Sequence, residues 1–347
     1  MYPSNSDYNT IISNLATFIN CDEIKDYKPI KINNRFISYS GGFSKVYPLQ
    51  NLKGEKIAIR FWTKHIKESF TRYEEIEKYL NKTNLPYFVK FKYFQDGLLW
   101  NNKSIPFITM EWVKGVTLNN FLDEHIENTT LIKVLAEKFS QLVVDLHKHE
   151  ISHGDLQEGN ILIVEKNNDI EIKLIDYDSL YVPSLSNYPI EIDGIEAYQH
   201  PNRKNVKKMN KKIDYFSELV IYLSLLAYVE NSNLWIKETD KQLLFTKDDY
   251  IDINNSEIFK ELQSDGYSEN IKKLSDKLKK FCLEEDINNL EPLENIINSS
   301  LDKARQKMLD EIGKIKPPNK NKGRQYDKRQ FDEARYKMLK KISDKDN

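Results

Sequence analysis

Apolar residues recur along this chain with two different periods, and the change from one to the other divides it. From Ile37 to about Trp62 short strand-like runs are broken at Gly41-Gly42 and at Lys53-Gly54, which predicts a meander. Phe88 to Phe94 and Pro106 to Val113 read as further strands flanking an Asp96-Gly97 turn. Between these runs Phe70, Tyr73, Ile76, Tyr79 and Leu80 share one face of a helix over Ser69 to Leu80. Downstream the helical period takes over. Helices are predicted over Leu118 to Ile126, Leu131 to His149, Lys212 to Tyr228 and most of Ile258 to Leu301. One hairpin interrupts them: the apolar run Ile161 to Val164, a polar Asn167-Asn168-Asp169 turn, and a second run ending in Asp176-Tyr177-Asp178. Ser179 to Pro201, with Pro183, Pro189 and Gly194, reads as loop. Near the start Ile11, Ile12, Leu15, Phe18 and Ile19 predict a short amphipathic helix, a flap packed on the first strands.

The expected fold class is therefore α+β and bilobal. A flap (1–30) precedes a β-rich N-lobe (31–112), a hinge near 112–117 leads into a helical C-lobe (113–301), and a helical C-terminal extension follows (302–347). At 347 residues the chain is long enough for two lobes and an extension. The net charge of −1 argues against nucleic-acid binding by the protein as a whole. Cys21 and Cys282 match no metal spacing and fit a reducing compartment or simple buried thiols. The first residues lack the basic and apolar regions of a secretory signal, and the apolar stretch Leu219 to Val229 is about half a bilayer span, so the expectation is a cytoplasmic chain with no membrane partner.

The extension departs from the rest in charge and pattern. Residues 302–312 are echoed by 332–342, with seven of eleven positions identical, and Pro317-Pro318 separates the copies. From residue 301 onward 15 Lys/Arg face 8 Asp/Glu, which leaves the remainder at −8. Two matching short helices in a basic tail suggest a duplicated element that docks a partner protein or a nucleic acid, or pairs with a second copy of the chain; a solvated tail of marginal helicity is the plainer reading.

The chemistry concentrates in His153-Gly154-Asp155-Leu156-Gln157-Glu158-Gly159-Asn160 and in Asp176 beyond the predicted hairpin. An Asp, an Asn five residues later and a second Asp around one strand pair supply what phosphoryl transfer requires. One carboxylate orients or deprotonates the attacking hydroxyl, and an amide oxygen and a second carboxylate hold Mg²⁺. Asp155 is the candidate base; Asn160 and Asp176 are the candidate metal ligands, with oxygen donors suited to Mg²⁺.

These residues resemble the protein-kinase-like superfamily, in an atypical, bacterial-type Ser/Thr form, over about residues 35–300. Ser40-Gly41-Gly42-Phe43-Ser44-Lys45-Val46-Tyr47 is similar to the glycine-rich loop that covers ATP phosphates, with Gly41 and Gly42 admitting backbone close to phosphate. Ile57-Ala58-Ile59-Arg60 is similar to the strand that normally ends in the phosphate-binding Lys, and Thr109-Met110-Glu111-Trp112-Val113 to the strand and hinge that hold adenine. The resemblance implies ATP as cofactor, with Val46 and Ala58 against it, Met110 as gatekeeper, and the Glu111 carbonyl and Val113 amide as hinge hydrogen bonds. It also implies an Arg60 partner on the Ser69–Leu80 helix, with Glu75 first and Glu74 or Glu77 as alternatives. Asp214 should be buried and cap the catalytic-loop backbone, and His153 should pack under Asp176-Tyr177-Asp178.

Four departures qualify the resemblance. Arg60 stands for Lys, keeping the charge on a longer planar fork. Gly154 stands where many protein kinases have Arg, so switching by a loop phosphate looks unavailable. Gln157 stands for a Lys near the γ-phosphate, and Asp178 for a Gly, which stiffens that hinge. The leading expectation is an ATP-dependent Ser/Thr-type kinase acting on a protein hydroxyl. The alternatives are a small-molecule phosphotransferase similar to aminoglycoside and choline kinases, and a catalytically weak pseudokinase scaffold. Asp214-Tyr215-Phe216-Ser217 and the Pro201 segment before it favour the protein kinase.

Overall fold

The computed structural model describes residues 2–40, 44–64, 69–167, 169–186, 188–190, 194–236 and 242–298. Gly41, Gly42 and the repeated tail 302–347 therefore lie outside the described residues. Residues 1–290 form one compact unit and 291–347 a second, in which 293–298 are helical.

The chain opens with α1 (Asn5–Ser13) and one turn of helix, α2 (Leu15–Phe18). Ser4 and Asp7 close a capping box at the start of α1, satisfying amides that the first turn leaves unpaired. Ile11 and Ile12 are fully buried, as the apolar spacing anticipated, and so is Tyr8. The short strands β1 (Lys28–Pro29), β2 (Lys31–Ile32), β3 (Arg35–Phe36) and β4 (Tyr39–Ser40) lead into β5 (Ser44–Gln50) and β6 (Lys56–Trp62). After α3 (Ser69–Thr83), β7 (Phe91–Trp100) and β8 (Lys103–Glu111) complete an antiparallel sheet of order β1-β5-β6-β8-β7, with β4 on β5.

The two faces of this sheet have different jobs, and register assigns them. Val46 pairs with Arg60, Arg60 with Ile108, and Ala58 with Met110, so these residues share one face. The other face carries Tyr47, Ile59, Phe61 and Phe107, all fully buried under the N-terminal flap. Tyr8 stacks on Phe61 at 4.8 Å and donates a 2.5 Å hydrogen bond to the Trp62 carbonyl. Asn9 Oδ1 accepts from Lys45 Nζ at 3.0 Å and from the Tyr47 hydroxyl at 2.8 Å.

The structure relocates one turn. Asp96-Gly97 does not join two strands; it lies within β7, where the register shifts between Phe94 and Leu98. A Cβ on Gly97 would sit 2.1 Å from the Phe107 ring, so the glycine marks close packing at a bulge. The reversal is made instead by Asn101 and Asn102, both with positive φ, a conformation that Asn tolerates.

Beyond β8 come β9 (Val116–Thr117), α4 (Leu118–His125) and α5 (Thr129–Lys148). The hairpin β10 (Ile161–Lys166) and β11 (Asp169–Leu174) pairs along its whole length, with β9 on its other edge. α6 (Tyr215–Glu230) is buried nearly all round against α5 and α9 (Glu269–Leu283), which is why its sequence is apolar on every side. Two short helices, α7 (Lys247–Ile251) and α8 (Glu257–Glu261), lie between α6 and α9 in the chain. Among the described residues no helix is long and apolar enough to cross a membrane.

His200 pins the end of the 179–201 segment to α9. Its Nε2 donates to the Phe281 carbonyl at 2.7 Å while Nδ1 accepts from the Asn202 amide at 3.0 Å, a pattern only the neutral ring can make. Burial lowers its pKa from the ordinary 6.5. A lowered His pKa gives stability that is complete above about 6.5 and lost as pH falls toward the folded-state value. Thermal melts from pH 7.5 to 5 should therefore show a fall in Tm below about pH 6.5 that is smaller in His200→Gln.

Candidate active site

The hairpin brings the first two oxygen-bearing positions together. Ile161 pairs with Leu174, so Asn160, just before β10, lies beside Ile175, just after β11, and the Ile175 amide donates to the Asn160 carbonyl at 3.0 Å. Asp176 follows at φ 67°, which turns the chain sharply at the strand end. Asn160 Nδ2 donates to the Asp155 carbonyl at 2.8 Å and to Asp155 Oδ2 at 3.1 Å, so Asp155 and Asn160 form one unit. Because the amide nitrogen is committed to Asp155, the amide oxygen points away from it.

Asp214 holds the loop that carries Asp155. Its carboxylate, 1% exposed, accepts from the backbone amides of His153 and Gly154, the latter at 3.0 and 3.2 Å. Burial raises its pKa against the pull of the nearby His153 ring and those two amides. His153 is fully buried and its Nε2 donates to the Ile175 carbonyl at 2.9 Å. Both residues thus sit as their sequence positions suggested. One oxygen of Asp155 is held by Asn160, while Oδ1 is buried with no hydrogen-bond partner. The chain passes close by it at Gly194, where a Cβ would lie 2.8 Å from that oxygen.

Gly154 is more than a missing arginine. It has φ +78°, and a Cβ would stand 2.1 Å from the Ser179 carbonyl oxygen, so the segment after Asp178 is packed directly on it. Arg203, from the far end of that segment, donates to the Gly154 carbonyl at 3.3 Å.

Arg60 has different partners from those expected. It is 3% exposed, and its fork grips Asp178 through Nη1 to Oδ1 at 3.1 Å and Nη2 to Oδ2 at 2.5 Å. Nη2 also lies 3.0 Å from Asp176 Oδ1. The α3 helix contributes no carboxylate to this pair. It presents Tyr73, whose hydroxyl meets both Arg60 Nη1 at 3.2 Å and Asp178 Oδ1. Tyr73, Ile76 and Leu80 occupy the buried face at helical spacing; Glu75 and Glu77 fall to its sides, half-buried, and Glu74 points to solvent. Trp62 Nε1 donates to Asp178 Oδ1 at 3.3 Å, and Arg72 donates to the Asp178 backbone carbonyl. Burial pushes the Asp178 carboxyl up, but the Arg60 guanidinium and the hydrogen bonds from Tyr73, Arg60 and Trp62 outweigh it and hold the pKa below the usual value.

The face of the sheet that bears Arg60 also bears Val46, Ala58 and Met110, and it continues past Glu111 to the half-buried Trp112 and Val113. Tyr39 faces Trp112 across this edge, ring centroids 6.3 Å apart. The donor set of Asn160 and Asp176, an amide oxygen not engaged with Asp155 and a side-chain carboxylate 42% exposed, fits Mg²⁺, which takes few protein ligands and keeps waters.

A family model for the protein kinase domain matches residues 40–292, and the chain belongs to that family. It is 29% identical over 209 residues to the probable serine/threonine-protein kinase zyg-1 of Caenorhabditis elegans, covering 57% of this chain and 28% of that protein. It is 26% identical over 214 residues to the probable serine/threonine-protein kinase 2 of Plasmodium falciparum, covering 59% and 39%. The chain thus spans well under half the length of these curated relatives. Among solved structures, the kinase PK-1 of Cydia pomonella granulovirus matches with a TM-score of 0.49 and 18% identity, over 83% of this chain and 97% of that one.

Replacing Gly154 by Arg should damage this protein. A positive-φ residue other than glycine costs about 1–3 kcal/mol, and the Ser179 contact adds to it. Gly154→Ala and Gly154→Arg should each lower Tm by several degrees; a Gly154→Arg protein as stable as the wild type would contradict the close packing.

Proposed function

We propose that this chain is an ATP-dependent, Ser/Thr-type protein kinase of atypical sequence, transferring the γ-phosphate of Mg·ATP to a protein hydroxyl. The observation that carries the reading is the Asp155–Asn160 hydrogen bond at the same hairpin end as Asp176. Asp155 is the base: one oxygen is fixed by Asn160, and the other is left to accept the proton of the attacking hydroxyl. Asn160 and Asp176 are the metal ligands, and bound Mg²⁺ would supply charge neutralisation at the phosphates. Val46, Ala58 and Met110 would pack on adenine, with Glu111 and Val113 at the hinge. Gln157 leaves less positive charge near the transferred group than a Lys would, so slow turnover is expected.

The Ser/Thr kinase names of the relatives support a protein acceptor. Gly154 supports activity that needs no loop phosphate, since its position is filled by the Ser179 backbone. A cytoplasmic setting and docking of a partner through the basic tail belong to the same proposal, on sequence grounds alone.

Purified protein incubated with radiolabelled ATP, Mg²⁺ and generic protein or small-molecule acceptors should label protein. Asp155→Asn should lower the rate about 10²–10⁴-fold with nucleotide affinity retained. Equal incorporation by variant and wild type would remove Asp155 from the chemistry. Labelling of small molecules alone would move the acceptor class.

A further inference from the structure

In the expected arrangement a helix-borne acid balances the phosphate-side cation of β6. Here the acid arrives from the strand end instead. Three hydrogen bonds hold the Arg60 fork, from Nη1 to Tyr73 and Asp178 and from Nη2 to Asp178, while Asp176 Oδ1 makes an ion-pair contact 3.0 Å from Nη2. Asp178 takes the paired, bidentate grip, the stronger geometry for a guanidinium and a carboxylate. It is 5% exposed and is also held by Tyr73, Trp62 and Arg72. Asp176 takes only the one remaining Nη2 contact, and its side chain stays 42% exposed.

We propose that Asp178 is a positioning residue: it satisfies Arg60 from within the metal-ligand segment, so that Asp176 receives one orienting contact and keeps its carboxylate available to a divalent cation. The inference rests on the kinase reading of the site and assigns a role that the reading leaves open. Its physical basis is charge balance. A buried guanidinium must be neutralised. If Asp178 could not do it, Asp176 is the next carboxylate in reach, and a full pair with Arg60 would draw Asp176 off the cation. A second consequence concerns α3. It supplies no carboxylate to Arg60, but Tyr73 and Arg72 both hold Asp178, so a shift of that helix would loosen the charge partner of Arg60 without removing it.

The test is the cation dependence of nucleotide binding, measured by calorimetry with ATP in Mg²⁺ and in EDTA. In the wild type Mg²⁺ should tighten binding. Asp178→Asn should reduce that tightening at least tenfold while changing the affinity in EDTA less than threefold. Asp178→Glu, which keeps the charge, should recover part of it. Should Asp178→Asn not fold, Trp62→Phe and Tyr73→Phe each remove one donor to Asp178, and each should reduce the tightening two- to fivefold. An Mg²⁺ effect equal to the wild type's in every folded variant would overturn the proposal. Phosphotransfer assayed in parallel separates the two readings. A wild type that transfers no phosphate but loses its Mg²⁺ response in Asp178→Asn would remove only the kinase activity. Unchanged Mg²⁺ response with intact transfer would remove only the role of Asp178. A wild type that binds no nucleotide would remove both.

Discussion

The proposed active site depends on the antiparallel ladder between β10 and β11. The six paired positions from Ile161–Leu174 to Lys166–Asp169 leave no freedom of register, because a slip of one residue would turn buried Ile161, Ile163, Ile170 and Ile172 outward. That ladder sets Asn160 against Ile175, and so brings the amide and Asp176 to one end. Asn160 then fixes Asp155. Asp214, just before the most buried helix of the C-lobe, holds the intervening loop by two backbone amides. The polar groups are thus placed by apolar packing elsewhere, and each is reached through a hydrogen bond to backbone.

The N-lobe reaches the same point from above. The flap helix α1 covers the far face of the sheet, and Tyr8 bonds the backbone of Trp62, whose indole donates to Asp178. A contact chain therefore runs from the first helix through β6 to the strand end that carries Asp176. Arg60 lies in it as a structural cation shared by two carboxylates. Arginine suits that role better than lysine, since its planar fork can satisfy both partners at once.

What was legible in the sequence was local. Asp155, Asn160 and the hairpin lie within one short stretch, and Asp214 and His153 followed from position relative to it; the structure sets Asn160 against Asp155, Asp214 on the loop amides and His153 on the Ile175 carbonyl. The partner of Arg60 was not legible. It joins positions 118 residues apart, and the apolar face that carries Tyr73 inward does not say that its hydroxyl, and not a flanking Glu, meets Arg60. The signal was present in Asp178 itself, an acid in place of a glycine, but only the buried cage around it gives that substitution a meaning. Gly154 was read for the side chain it lacks, although its positive φ and the Ser179 contact make glycine a requirement. Asp96-Gly97 carried a turn's composition and proved to be a bulge, because Phe107 needs the space that Gly97 leaves.

The central claim is spatial: Asp155, Asn160 and Asp176 serve one Mg²⁺-nucleotide site while Arg60 remains on Asp178. A crystal structure with Mg²⁺ and a non-hydrolysable ATP analogue tests it most directly. The account predicts a cation bound by the Asn160 amide oxygen and an Asp176 carboxylate oxygen, Asp155 facing the terminal phosphate, and the Arg60–Asp178 pair intact. A nucleotide bound elsewhere, or a cation that touches neither Asn160 nor Asp176, would contradict it.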